Sequence, residues 1–129
     1  MADAGTVLIA VADGVLADSL RFSLELEGFA VKLCDEFTLS RALPADGRRL
    51  CLVADQAVFA RIGERAADLA ARSVPVVLMV GYKTDCLVGR AEAAGVAEVV
   101  ETPLFGRALF DAIKSALDRA DAGAAPRPA

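Results

Sequence analysis

Three short stretches of this chain are apolar almost throughout, and each closes on an acid or a glycine. TVLIAVA at 6–12 ends at Asp13-Gly14, LCLVA at 50–54 ends at Asp55, and VPVVLMV at 74–80 ends at Gly81. A strand with one wet face alternates apolar and polar residues; a run without that alternation is a strand covered on both faces, as in a parallel sheet between two layers of helices. Between these runs the period changes to that of a helix. Residues 15–27 carry Leu16, Leu20 and Leu24 at helical spacing before the stop signal Gly28. Residues 29–34 read as a short strand, and 37–43 as a short helix broken by Pro44 and Asp46-Gly47. The Ala-, Arg- and Glu-rich stretch 57–72 reads as one helix running through Gly63, and 84–94 as a helix stopped by Gly95. A strand over 97–101 and an amphipathic helix over 104–121 complete the series, separated by Pro103, which pushes the residue before it out of helical geometry.

Five strands alternating with five helices specify an α/β domain over 1–121, a five-stranded parallel sheet with helices on both faces. The closing AGAAPRPA at 122–129 has no periodicity and is expected to be a disordered tail. A chain of 129 residues holds one such domain.

Two absences narrow the chemistry. There is no His and no Trp, which removes Ser-His-Asp and Cys-His catalysis, His-ligated zinc and relay through a phosphohistidine of its own. The net charge of −4, without a run of like charges longer than a pair, argues against nucleic acid as a partner. No apolar run approaches the length of a membrane span and the N-terminus lacks a basic leader, so a cytoplasmic address with no membrane partner is expected. Cys34, Cys51 and Cys86 are widely spaced and odd in number, which points to reduced thiols rather than a disulfide framework.

Parallel sheets place their functional groups at the carboxyl ends of the strands. The positions to inspect are therefore Asp13, Asp55, residues 80–84 and Thr102-Pro103. Neither GxGxxG nor GxxxxGK[ST] occurs at these turns, so a dinucleotide or P-loop nucleotide site has no support.

Over residues 6 to 120 the chain resembles the receiver domain of two-component response regulators, the CheY-like superfamily, and within it receivers of the FixJ type. The segments that carry the resemblance are VLIAVAD, SLRFSLELEGFAVKL, LCLVADQ, VPVVLMVGYKTD and AEAAGVAEVVETPLF. It implies a flavodoxin-like (βα)5 fold with strand order 2-1-3-4-5. It also implies a phosphoacceptor position at Asp55. In such receivers an acidic pair after the first strand holds Mg²⁺, a Thr or Ser ends the fourth strand, and a Lys precedes a Pro after the fifth; together they neutralise charge as two anions meet. Here Val11 and Ala12 align with the acidic pair, Val80 with the hydroxyl residue, Thr102 with the Lys, and Val99 with the aromatic that moves with the hydroxyl. Asp13 is the remnant of the acidic pocket, and with Asp55 alone it makes a thin ligand set, so no bound metal is expected. Without those partners Asp55 reads as a strand-end carboxylate accepting hydrogen bonds from loop amides. The loop Thr102-Pro103 is expected to carry a cis peptide bond.

The resemblance implies a partner surface as well. In receivers the start of the first helix and the loop after the fifth strand meet the helical dimerisation domain of a sensor histidine kinase. Val15, Ser19 and Phe22 with Leu104, Phe105 and Gly106 are the matching residues. Phe22 and Leu26 have a plainer reading, as packing against the last helix. Residues 84–101 with the last helix form a face by which receivers dimerise, where Arg90, Glu92, Glu98 and Arg107 either pair across a homodimer or are solvated.

The leading expectation is a stand-alone, degenerate receiver, not an enzyme, that binds a sensor histidine kinase or another two-component protein without phosphorylation and inhibits it. A second reading is a phosphorylatable single-domain response regulator or phosphate sink using Asp55. A third is a redox or iron–sulfur sensor built on Cys34, Cys51 and Cys86 with a fourth ligand from outside the chain.

Overall fold

The computed structural model describes residues 5–35, 38, 49–63, 65, 68–69, 74–102 and 107–124. The apolar runs form the centre of a five-stranded parallel sheet of order β2-β1-β3-β4-β5. The strands are β1 (Thr6–Ala10), β2 (Ala30–Leu33), β3 (Leu50–Asp55), β4 (Val76–Val80) and β5 (Glu98–Glu101). Four helices lie among the described residues: α1 (Gly14–Leu26), α2 (Gln56–Ile62), α3 (Asp85–Ala93) and α4 (Ala108–Ala124). None is long and apolar enough to cross a membrane.

The period of two along each strand sorts its side chains onto opposite faces of the sheet. Leu8, Leu52, Leu78 and Val80 pack on one face with Val58 and Ile62 of α2 and Ala91 of α3. Val7, Ile9, Cys51, Val53, Val77 and Met79 pack on the other with Leu20 and Leu24 of α1 and Ile113 and Leu117 of α4. Both layers are needed, which is why β1, β3 and β4 read as apolar runs. In register, Ile9 sits beside Val53 on β3, and Val53 beside Val77 on β4.

Helix ends follow the glycines. Gly28, at φ 99°, closes α1. The Phe29 N–H donates to the Leu24 carbonyl and the Gly28 N–H to that of Glu25, each at 3.1 Å. This is a Schellman closure, and the Leu24–Phe29 pair it brings together is buried in one cluster. Gly95, at φ 98°, ends α3 the same way through Val96 to Ala91 and Gly95 to Glu92, each at 3.0 Å.

Several boundaries differ from the sequence reading. β1 stops at Ala10, and Val11 and Ala12, expected in the strand, lie in the connection to α1. The helix expected over 57–72 breaks at Gly63, whose φ of 53° and ψ of −120° lie outside helical geometry, with Arg65, Asp68 and Leu69 helical again beyond it. Apolar periodicity does not register such a break, since the phase of the buried residues resumes at Leu69. β4 begins at Val76 rather than 74; Pro75 sits at its entry, where its carbonyl accepts from Leu52 N–H at 2.9 Å and no donor is required. The last helix is Ala108–Ala124, so that 122–124, expected in the tail, are helical although Gly123 is a poor helix former; its expected start at 104 lies outside the described residues. The expected helix over 37–43, the Pro103 peptide bond and residues 125–129 lie outside the described residues, apart from Thr38, a turn residue.

The packing predicts a contrast between two apolar side chains. Ile113, fully buried between α4 and the sheet, should cost about 2–5 kcal/mol when truncated to Ala. Phe22→Ala, on the outer side of α1, should cost about 0.5 kcal/mol or less. Urea unfolding of both variants measures the difference.

Candidate functional site

The carboxyl edge of the sheet brings together the ends of β1, β3, β4 and β5, and Asp55 stands at its centre. Asp55 is the last residue of β3 and the N-cap of α2, with φ −89° and ψ 175°. One carboxylate oxygen, Oδ1, accepts from the Val58 N–H at 2.8 Å. The other, Oδ2, accepts from the Ala12 N–H at 2.9 Å. The acid therefore joins the first turn of α2 to the loop leaving β1.

Asp13 is engaged elsewhere. It is the N-cap of α1, and its Oδ1 accepts from Val15 N–H at 3.0 Å and Leu16 N–H at 3.2 Å, satisfying donors that a helix start leaves unpaired. The remaining aligned positions are apolar or turned inward. Val80 is 1 % exposed and Val99 is buried, both in the cluster under α2 and α3. Val11 is half-buried and Ala12 exposed. Thr102 donates through Oγ1 to the Val80 carbonyl at 3.2 Å, alongside its own N–H to the same oxygen at 2.8 Å.

This donor set does not fit a magnesium ion. Magnesium demands several oxygens in near-octahedral array, whereas one acid here caps α1 and the other has both oxygens in backbone hydrogen bonds. No group of three or more acidic or thiol side chains among the described residues is placed to hold a metal.

Two residues of the edge were not singled out by the sequence. Gln56, the first residue of α2, accepts through Oε1 from Gly81 N–H at 3.2 Å. Glu101, the last of β5, accepts through Oε2 from Lys83 N–H at 2.7 Å. Their only signal in the sequence is a polar residue at a strand or helix terminus, which most such termini share.

The outer side of α1 carries a second candidate feature. Val15, Phe22 and Leu26 are 83 %, 66 % and 73 % exposed and lie, with Ser19, on one helical face. Phe22 and Leu26 thus do not pack against the last helix: Phe110 of α4 instead meets Phe29, ring centroids 5.7 Å apart. Leu16, expected in the core line of α1, is half-buried and Ala17 takes the buried position. Beside the exposed stripe runs a groove of about 440 Å³ between α1 and α4, lined in part by Leu16, Ser19, Arg107 and Phe110 and reaching Thr102 at the carboxyl edge. Arg107 closes one side, 3.3 Å from Glu27 and stacked 4.2 Å above the Phe110 ring. Leu104, Phe105 and Gly106 lie outside the described residues.

Of the four charges read as pairing across a dimer or solvated, two have partners within the chain. Arg107 pairs with Glu27, and Glu98 pairs with Arg119, which also donates to the Ala97 carbonyl at 2.9 Å. Arg90 and Glu92 are exposed on α3.

The three thiols do not converge. Cys51 is buried on the α1/α4 side of the sheet, Cys34 packs against the opposite cluster, and Cys86 is exposed in the first turn of α3. Burial pushes the Cys51 thiol up to about 12. Burial, reinforced by the negative charge of Asp35, pushes that of Cys34 up to about 11.

Two expectations follow from these placements. At pH 8 Cys34 and Cys51 remain protonated, so a thiol-specific disulfide reagent should titrate Cys86 first and the other two only on unfolding. Asp13→Ala should cost about 1 kcal/mol in thermal or urea unfolding, the value of a helix cap, and leave Mg²⁺ affinity unchanged.

No family model and no curated protein matches the chain. Solved structures do. Full-length FixJ from B. japonicum superposes with a TM-score of 0.77 at 24 % identity, over 95 % of this chain and 62 % of that one, so this chain spans less than two thirds of it. FixJ-N superposes with a TM-score of 0.75 at 26 % identity, over 92 % of this chain and 96 % of that one. A CheY-like response regulator receiver domain protein from Methanospirillum hungatei gives 0.75 at 20 % identity over 92 % and 97 %. With the strand order and the strand-end acid already in place, the chain has the CheY-like fold of response regulator receiver domains.

Proposed function

We propose that the chain is a response regulator receiver domain of two-component signalling that acts by binding another two-component protein, a sensor histidine kinase first among them, without accepting a phosphoryl group, and that it thereby inhibits the kinase. The observation that carries the reading is the state of Asp55, whose two oxygens are both held by backbone amides of its own chain. A carboxylate so engaged must give up one or both bonds to attack phosphorus, and the groups that would offset the cost are missing. Val11 and Ala12 offer no metal ligand, the buried Val80 no hydroxyl, and Thr102 no cation. Phosphoryl transfer is catalysed almost entirely by positioning and charge neutralisation, so losing these groups removes most of what catalyses it.

The exposed stripe Val15–Phe22–Leu26 supplies the other half of the reading. Three large apolar side chains on one face of α1 beside a groove suit a helical partner surface, with anchors one and two turns apart. A domain that occupies the kinase's receiver-docking surface, and neither takes nor returns phosphate, competes with receivers that do. In this reading the sign of regulation is inhibition, and the affinity comes from apolar contact rather than from Asp55.

Titration calorimetry against the helical dimerisation domain of a sensor kinase from the same genome tests the reading. Asp55→Asn should lose about 1 kcal/mol of fold stability, through one backbone amide left without its acceptor, and keep its partner affinity. Phe22→Glu should weaken binding about tenfold or more, as charging a buried aromatic anchor does. Fluoroberyllate with Mg²⁺ should leave the amide signals of Ala12 and Asp55 unmoved. Loss of binding in Asp55→Asn, or Mg²⁺-dependent movement of those signals, overturns the proposal in favour of a phosphorylated switch.

A further inference from the structure

Four side-chain-to-backbone hydrogen bonds stitch the carboxyl edge together. Asp55 holds Ala12 N–H, Gln56 holds Gly81 N–H, Glu101 holds Lys83 N–H, and the Thr102 hydroxyl holds the Val80 carbonyl. The first joins the exit of β1 to that of β3. The second joins α2 to the exit of β4, and the last two join the exits of β4 and β5. Backbone N–H groups at this edge are the donors with which a parallel α/β sheet receives an anion. Two of them, on the loop 81–84, already have oxygen acceptors from the chain itself.

We propose that Gln56 is a positioning residue which, with Glu101, holds the loop 81–84 in a single ligand-independent conformation by supplying the oxygens that a bound anion would supply. The inference rests on the reading above, that the chain works without a phosphoryl group on Asp55, and it assigns that independence to named side chains. Gln56 is placed by the cap beside it: Asp55 fixes the first turn of α2 and so aims the amide at Gly81. A neutral amide at this position satisfies Gly81 without setting a second negative charge next to Asp55. Glu101 is placed by the sheet, since it lies in register with Val80, the residue from which the loop departs. Its bond to Lys83 is charge-assisted and correspondingly short at 2.7 Å. At its far end the loop is pinned by Thr84, whose hydroxyl accepts from Leu87 N–H at 3.1 Å as the N-cap of α3. Every residue of the loop except exposed Tyr82 is thus tied through its amide or its side chain, and α3 keeps one position relative to the sheet whatever the state of Asp55.

Amide hydrogen exchange and relaxation dispersion on the full chain test this directly. Gln56→Ala should raise the exchange rate of Gly81 about fivefold, the equivalent of one net hydrogen bond, and introduce microsecond-to-millisecond exchange across 81–84. Gln56→Glu, which keeps an acceptor at the same reach, should restore Gly81 protection. Glu101→Ala should raise exchange at Lys83 about tenfold, reflecting its charged acceptor. Unchanged exchange at Gly81 in Gln56→Ala, or at Lys83 in Glu101→Ala, overturns the assignment. Kinase binding is scored separately through Phe22→Glu: a loop that loosens as expected in a chain with no kinase affinity sinks the binding reading and keeps this one.

Discussion

The structure depends on β3 being buried from both sides. Leu50 through Ala54 are all buried, and their side chains alternate between a layer containing α2 and α3 and one containing α1 and α4. With every lateral position committed to the core, a polar group on this strand has one place to go, its end. Asp55 is that group, and the first residue of the chain's central strand to reach polar surroundings also caps the helix that follows. Fold and site are set by one constraint: the strand that anchors both helix layers delivers its carboxylate to the point where four strand exits meet.

That constraint explains how much could be read from the sequence. Strands β1, β3 and β4 were legible because double-sided burial abolishes alternation, and the ends of α1 and α3 because a Schellman closure needs the positive φ that Gly28 and Gly95 supply. The break in the 57–72 stretch was not, since Gly63 interrupts the backbone without disturbing the apolar phase. Asp55 was legible as the acid closing an apolar run, and the stripe on α1 as apolar surface beyond what one core-facing side requires. Gln56 and Glu101 were not, because a hydrogen bond from a side chain to the amide of a distant loop depends on register between strands, which no local pattern encodes. The ion pairs Arg107–Glu27 and Arg119–Glu98 were missed because they depend on how α4 packs beside α1 and β5, which no local pattern encodes either.

The apolar residues at positions 11, 12 and 80 have a stabilising side of their own. Two carboxylates at positions 11 and 12 would face Asp55 across the loop and repel it unless a cation intervened. Val11 and Ala12 remove that repulsion, and the Ala12 amide approaches Asp55 instead. Val80 adds to the core under α2 and α3 where a hydroxyl would need a partner.

Why an acid stands at position 55 beside apolar neighbours is answered by hydrogen-bond capacity. Asp55 accepts from two amides in different segments, Ala12 and Val58, one at each oxygen. An Asn in its place has one oxygen and one N–H₂ group, so one of the two amides would face a donor rather than an acceptor. A Glu, longer by a methylene, would not cap α2 from the same backbone position. Only a short side chain with two equivalent acceptors ties both segments at once, and among the twenty residues that is Asp. An aspartate at this position is therefore accounted for by the architecture of the carboxyl edge.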